Sequence, residues 1–129
     1  MRVLAIDHGS VRCGCALSDP SGTIVRPIEP ISPPEAQSVA DVAAEHEVEL
    51  VVVGLPVSLD GSEGAQAEAA RHFAAEVDAL TDVEVETYDE RLTTRMAAAS
   101  RRSGSRAAED SLAAAHLLDS FLMALEARR

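Results

Sequence analysis

The chain has 129 residues, which suits one domain, and 47% of them are hydrophobic, which excludes an intrinsically disordered protein. Aromatic residues make up only 2%, so alanine, valine and leucine must fill the core. The formal net charge is −11, which by itself disfavours binding to the negatively charged backbone of nucleic acid. A basic stretch from Arg91 to Arg106 contains five arginines and no acidic residue, and it predicts either an anion-binding segment or a solvated surface.

Cysteine usage and the start of the chain indicate the compartment. Cys13 and Cys15 are two residues apart on a predicted strand, so their side chains share one face in a geometry that disfavours a disulfide. No second cysteine pair is present for a zinc site. The first residues lack the apolar segment and cleavage site of a signal peptide, and no stretch reaches the roughly 18 apolar residues of a membrane span. We therefore expect a reduced, cytoplasmic protein without membrane contact.

Three strands separated by turns are predicted at the start of the chain. They lie at residues 2–6, 12–18 and 23–28. The first is almost wholly apolar, which is typical of a strand covered on both faces. Turn signals over Asp7 to Ser10 and over Asp19 to Gly22 connect the three strands. Pro27 and Pro30 lack a backbone N–H, so we expect the third strand at an edge of the sheet.

Helices then alternate with strands. In chain order the sequence predicts a helix opened by Pro33-Pro34, a strand at 49–53, a helix at 63–80, a strand at 83–88, and helices at 92–101 and 108–126. Helical spacing predicts that Ala65, Ala69, Phe73, Val77 and Leu80 face inward from the second helix, and Ala114, Leu117, Phe121 and Leu125 from the last. The order indicates an α/β fold in a single domain over 1–129. It comprises a five-stranded mixed sheet, with antiparallel strands 1–3 and then parallel strands, and helices on both faces.

Three acidic residues fall where a site is expected. Asp7 follows the first strand, Glu90 follows the last strand, and Asp110 lies in the first turn of the final helix on its core-facing stripe. Sites in open α/β sheets gather at the carboxyl ends of strands. Converging carboxylates repel one another until a cation neutralises them, and oxygen ligands favour Mg²⁺ or Mn²⁺. One or two such ions can activate a water and stabilise the leaving oxygen of a phosphodiester.

Each of these acids also has a purely structural interpretation. Asp110 can cap a helix, Asp7 can be a turn residue, and Glu90 can pair with a surface arginine. Spacing alone leaves both interpretations open.

Four segments of the chain resemble the motifs of one protein family. They are Asp7-x-Gly9-x-x-Arg12-x-Gly14 with Ala16-Leu17-Ser18-Asp19, Gly54-Leu55-Pro56 with Asp60-Gly61, Asp89-Glu90-Arg91-Leu92-Thr93-Thr94, and Asp110-x-x-Ala113-Ala114-x-x-Leu117-Leu118. In this order they are similar to the YqgF/RuvX family along nearly the whole chain, and the hexapeptide that begins at Asp89 is the most specific. The resemblance implies an RNase H-like fold and a metal-dependent nuclease that matures the 5′ end of the 16S ribosomal RNA precursor.

The resemblance also implies roles for individual residues. The acidic catalytic and metal-binding positions match Asp7, Glu90 and Asp110. The motif arginines match Arg12 and Arg91, and arginine binds phosphate through paired donors. The basic stretch itself adds Arg95, Arg101 and Arg102 as expected nucleic-acid contacts. Thr93 and Thr94 match as well, with helix capping as the alternative role.

The sequence departs from the family pattern at a few positions. His8 stands where the family often has tyrosine, and it either contacts substrate or fills the turn. Val11 stands where a basic residue is common, which removes one expected phosphate contact. Cys13 and Cys15 replace aliphatic residues, and we interpret them as core substitutions.

Three other functions stay open on the sequence. A resolvase of Holliday junctions in branched DNA uses the same acids, but it needs a twofold dimer to cut two strands symmetrically. An ATPase fragment of the actin or sugar-kinase type fits the segment after Asp7, although such enzymes close two domains around ATP. The acidic trio disfavours a non-catalytic RNA-binding module. The expected partners are structured RNA or branched DNA and ribosomal precursor particles, with a monomer or a homodimer left open.

Overall fold

The computed structural model of the protein describes residues 1–93 and 111–128. Its strands are β1 (Val3–His8), β2 (Cys13–Ser18), β3 (Val25–Ile31), β4 (Leu50–Leu55) and β5 (Glu84–Asp89). Its α-helices are α1 (Ala36–Glu45), α2 (Ala65–Leu80) and α3 (Leu112–Ala127), and a 3₁₀ turn spans Glu90–Leu92.

The five strands form one sheet in the order β3-β2-β1-β4-β5. β2 pairs antiparallel with β1 and β3, whereas β4 is parallel to both β1 and β5. The predicted mixed sheet is confirmed, and so is the edge position of β3. Because β1, β4 and β5 are parallel neighbours, their carboxyl ends lie along the same edge of the sheet.

Helices cover both faces of the sheet, as predicted. α1 and α2 bury one face with side chains such as Val39 and Phe73. α3 buries the other face with Leu117 and Phe121. Each layer contains one buried phenylalanine, and most of the other core residues are alanine, valine and leucine, as the composition requires.

A bulge between β2 and β3 anchors the start of α3. Cys13 lies opposite Ile31 and Cys15 lies opposite Ile28, so β3 contains one extra residue at this point. The backbone N–H of Cys15 donates to Ser111 Oγ at 3.0 Å, and the Ser111 hydroxyl donates to the carbonyl of Ile28 at 2.7 Å. The buried serine therefore bridges the gap in the ladder and fixes the N-terminal cap of α3 on the sheet.

The first strand is longer than predicted. Asp7 and His8 continue β1 and pair with Gly14 and Cys13, so the turn predicted from Asp7 is wrong in its first two residues. Residue types that favour turns do not show where a strand ends when a partner strand continues the ladder. Asp7 therefore projects from the sheet itself and not from a connecting loop.

The predicted inward face of α2 is wrong for three of its five residues. Phe73 and Val77 are buried, but Ala65, Ala69 and Leu80 are exposed. The buried residues of the helix are Ala67, Ala70, Phe73, Ala74 and Val77. The helix also begins at Ala65 and not at residue 63. Alanine occurs on every face of this helix, so the sequence leaves the phase of its apolar stripe undefined.

The two helices predicted at the end of the chain differ from the structure at their starts. Leu92 belongs to the 3₁₀ turn and Thr93 is extended, so no helix starts at residue 92. The rest of that predicted helix lies outside the described residues. The last helix begins at Leu112, with Ser111 as its N-cap, and not at residue 108. No helix among the described residues is long and apolar enough to cross a membrane.

A pair of neighbouring alanines tests the phase of α2. Ala70→Asp places an unpaired charge in the core and should lower the free energy of unfolding by about 3–5 kcal/mol. Ala69→Asp places the same charge on the exposed face and should lower it by only about 0.7 kcal/mol, because aspartate has a lower helix propensity than alanine. Urea denaturation measures both values, and similar losses in the two variants would contradict the observed phase.

Candidate active site

Two acidic side chains meet at the carboxyl edge of the sheet. Asp7 projects from the end of β1 and Glu90 from the turn after β5, and these two strands flank β4. Gly54 of β4 lies beneath the contact, because a Cβ atom at this glycine would lie 2.6 Å from Glu90 Oε2 and 3.1 Å from Leu117 Cδ2. Glu90 therefore reaches across β4 through space that a larger residue at position 54 would occupy.

The Asp7 and Glu90 carboxyl groups lie close enough to interact, and two carboxyl groups can share a hydrogen bond only when one of them is protonated. Burial raises the pKa of Asp7, although the hydrogen bond with Glu90 and the charge of His8 oppose this effect. Burial, followed by the charge and the hydrogen bond of Asp7, raises the pKa of Glu90 to about 7. The pair therefore retains a proton at pH values where separate, exposed carboxyl groups are ionised.

The carboxyl pair lies between two clefts. The larger, of about 320 Å³, is bounded by His8, Gly9 and Ser10 after β1 and by the start of α2. The smaller, of about 180 Å³, is bounded by Thr93 and by α3. Asp7 and Glu90 line both clefts, so a ligand can approach the carboxyl groups from either side.

His116 of α3 is a site residue that the sequence analysis missed. Its side chain lines the smaller cleft together with Asp7, Glu90 and Thr93. It stands three residues after Ala113, within the last motif that resembled the family. This spacing could have identified His116 from the sequence, because residues three apart share one face of a helix.

His8 both packs against the core and faces the larger cleft. Its ring lies 4.5 Å from that of Phe73, at an interplanar angle of 31°. Burial lowers the pKa of His8, although the charges of Asp7 and Glu76 oppose this effect. His8 thus packs against the core from β1 and does not fill a turn, whereas its position in the larger cleft agrees with the expected contact with substrate.

Arg91 is paired within the protein. Its Nη2 atom donates to Asp89 Oδ2 at 2.6 Å and its Nε atom donates to Asp89 Oδ1 at 3.1 Å. A third donor, Nη1, lies 3.4 Å from the carbonyl oxygen of Leu59. Asp89 also accepts from the backbone N–H of Arg91 and so caps the 3₁₀ turn. Arg12, the other motif arginine, is exposed just before β2.

The remaining predicted site residues lie outside the described residues. They are Thr94, Arg95, Arg101, Arg102 and Asp110. Within 1–93 and 111–128, no three His, Cys, Asp or Glu side chains form a group that could hold a metal ion. The described part of the site thus supplies two carboxyl groups, and a site with three needs a further ligand.

Cys13 and Cys15 belong to the core and not to the site. Both are buried on the face that α1 and α2 cover, which agrees with their interpretation as core substitutions. Burial raises the pKa of the two thiols to about 11 and about 12, respectively. Both thiols therefore stay neutral near pH 7.

Residues 1–124 match the protein family described as RuvX, Holliday junction resolvase. The chain belongs to the RuvX family. This membership confirms the resemblance found in the motifs, and it confirms the predicted class of enzyme, a nuclease.

Several curated relatives carry the name of a pre-16S rRNA nuclease. The protein from Rhodopirellula baltica is 37% identical over 137 residues, which cover 98% of this chain and 79% of the relative. The one from Pelotomaculum thermopropionicum is 37% identical over 133 residues, with 95% and 86% covered. The one from Endomicrobium trichonymphae is 32% identical over 132 residues, with 94% of each covered.

Solved structures of RuvC from Thermus thermophilus share the fold. One matches with a TM-score of 0.61 at 17% identity, covering 98% of this chain and 97% of RuvC. Another, RuvC in complex with a Holliday junction substrate, matches with a TM-score of 0.60 at 18% identity, covering 98% and 96%. The predicted RNase H-like fold is thereby confirmed for the RuvX chain.

Gly54→Ala should abolish most cleavage without unfolding the RuvX protein. The added methyl group displaces the Glu90 carboxyl from Asp7, and a displacement of about 1 Å can lower the rate on the order of 100-fold. Gly64→Ala is the matched control, because a Cβ at Gly64 has no neighbour within 4 Å. Equal cleavage rates for the two variants, at equal circular dichroism, would contradict the role of Gly54.

Glu90→Gln should stabilise the metal-free protein above pH 7. Since the pKa of Glu90 rises from its ordinary 4.5 to about 7 on folding, the folded state binds more protons between these values. Stability therefore falls as pH rises through this range, and the variant should lose this decline. Urea unfolding at pH 5 and pH 8 with chelator measures the slope. Glu45→Gln, at the exposed end of α1, should keep the wild-type change in stability between pH 5 and pH 8. The same change in Glu90→Gln as in wild type would refute the prediction.

Proposed function

We propose that this RuvX protein is a divalent-metal-dependent nuclease that cleaves structured RNA during 5′-end maturation of the 16S ribosomal RNA precursor. The observation that carries the proposal is the contact between Asp7 and Glu90 across Gly54. Two partly buried carboxyl groups in contact are unfavourable together unless a proton or a cation neutralises them. The names of the relatives supply the substrate.

The side chains at this point suit a hard cation. Asp7 and Glu90 offer only oxygen atoms, which Mg²⁺ and Mn²⁺ prefer. The raised pKa of Glu90 means that positive charge beside it is favourable. These two residues would hold one or two ions, with Asp110 as the proposed third ligand. A bound ion of this kind lowers the pKa of water and polarises a phosphodiester oxygen.

The clefts on either side of the carboxyl pair suit a strand that passes over it. Thr93 and His116 in the smaller cleft, and Ser10 and Gln66 in the larger, carry donors for phosphate oxygens. Arg12 and the basic stretch from Arg91 to Arg106 would attract the backbone to an otherwise acidic protein. In this proposal the chain recognises backbone shape, and base identity contributes little.

Cleavage of branched DNA is the second candidate function. The family description names this activity, and RuvC shares the fold. The same carboxyl groups would serve both reactions, but a resolvase also requires a twofold dimer to cut two strands symmetrically.

We further propose that the protein works in the cytoplasm, where it meets precursor ribosomal particles.

A cleavage assay tests the proposed function. Wild type and Asp7→Asn are incubated with a 5′-extended 16S rRNA precursor or a synthetic four-way DNA junction, each with Mg²⁺, Mn²⁺ or chelator. We expect metal-dependent cleavage of the RNA by wild type only, because Asp7 is a proposed ligand. Circular dichroism checks that the variant is folded.

The other outcomes separate the alternatives. Cleavage of the junction alone would assign the protein as a resolvase. Binding of the RNA without cleavage would favour a non-catalytic RNA-binding module. Cleavage by Asp7→Asn at the wild-type rate would exclude the proposed role of Asp7.

A further inference from the structure

Ser120 of α3 is a buried residue whose hydroxyl joins the helix to the candidate active site through two hydrogen bonds. Its side chain is 3% exposed, and its hydroxyl donates to the carbonyl of Leu92 at 2.8 Å. The same Oγ atom lies 3.0 Å from the hydroxyl of Tyr88. Because the single hydroxyl hydrogen of Ser120 is directed to Leu92, Tyr88 must be the donor in the second bond.

The other end of this arrangement is fixed in the apolar core. Tyr88 of β5 is 8% exposed, and its ring packs edge-on against Phe121 at 5.5 Å. The chain of bonds therefore runs from β5 through α3 to Leu92, the last residue of the 3₁₀ turn. Three elements of the fold are connected by two hydroxyl groups.

The 3₁₀ turn that accepts the hydrogen bond from Ser120 also carries Glu90. At its start, the Asp89 side chain accepts from the N–H of Arg91 at 2.9 Å. Inside it, the N–H of Thr93 donates to the carbonyl of Glu90 at 3.1 Å. At its end, the Leu92 carbonyl accepts from Ser120. Glu90 thus lies between a local cap on one side and a tertiary contact on the other.

We propose that Ser120 and Tyr88 are positioning residues of this nuclease, whose hydroxyl groups hold the Glu90–Leu92 turn so that the Glu90 carboxyl group stays beside Asp7. The catalytic consequence rests on the proposed function. Ser120→Ala leaves the partly buried Leu92 carbonyl without its donor and the buried Tyr88 hydroxyl without its acceptor, so the turn loses the bond that ties it to α3. Tyr88→Phe removes only the outer hydroxyl and keeps the bond to Leu92, so its effect should be smaller.

Ser18→Ala is the matched control. Ser18 is as deeply buried as Ser120, at 1% exposed, and its Oγ accepts the N–H of Val3 at 2.8 Å. It connects the start of β1 to the end of β2, at the edge of the sheet opposite Asp7 and Glu90. Its loss should destabilise the fold without altering the turn.

The experiment measures Mn²⁺ affinity by calorimetry and the exchange rate of the Thr93 amide hydrogen by NMR. Ser120→Ala should weaken Mn²⁺ binding by about tenfold or more, as loss of a group that orients a metal ligand does. Its Thr93 amide should exchange faster, and its cleavage rate should recover at saturating Mn²⁺. Tyr88→Phe should show a smaller loss of affinity, and Ser18→Ala should match wild type in affinity and in Thr93 exchange.

Two results would overturn the positioning role. One is Mn²⁺ affinity and Thr93 exchange in Ser120→Ala equal to those of wild type. The other is an equal loss in Ser18→Ala, which would reveal general destabilisation. If wild type binds no Mn²⁺, the proposed metal-dependent function fails. The Thr93 exchange rate needs no metal, so it still decides whether Ser120 holds the turn.

Discussion

The contact between Asp7 and Glu90 across Gly54 is the constraint on which the candidate site depends. Parallel pairing of β1, β4 and β5 sets three strand ends side by side, so residues from distant parts of the sequence reach the same edge of the sheet. The middle strand separates the two acids, and a side chain on it would block their approach. Sheet order and the glycine are therefore both required, because neither alone brings the carboxyl groups into contact.

This contact is held in place by α3. Leu117 packs close to the backbone of Gly54, and Phe121 packs against the ring of Tyr88. The hydroxyl of Ser111 fixes the start of the helix on β2 and β3, and the hydroxyl of Ser120 ties it to the turn that carries Glu90. A buried hydrogen bond contributes only about 0.5–1.5 kcal/mol of net stability. The directionality of these hydrogen bonds matters more than their energy, because apolar packing of small side chains does not by itself determine the position of the helix along the sheet.

The sequence predicted the mixed sheet, with three antiparallel strands followed by parallel ones, and the meeting of Asp7 with Glu90, because apolar strands and the acids that end them are local patterns. It did not define the phase of α2, since alanine occupies every face of that helix. His116 and the partners of Ser120 were also missed, because their roles depend on contacts between elements that are distant in sequence. Arg91 pairs with Asp89, a residue close to it in sequence, whereas the motif suggested phosphate as its partner. Residue spacing alone does not distinguish a carboxylate partner from a phosphate partner.

The Arg91–Asp89 pair nevertheless agrees with a phosphate-binding role for the arginine. Both side chains are partly exposed, at 36% and 25%, and exposed ion pairs contribute little to stability. A backbone phosphodiester offers two non-bridging oxygens and one negative charge, as a carboxylate does, so it can compete with Asp89 for the guanidinium group. Asp89 would still cap the turn through the backbone N–H of Arg91, and the Glu90 position would be preserved. An acidic protein can thus keep an arginine beside its site, held by a local carboxylate until a phosphate backbone competes for it.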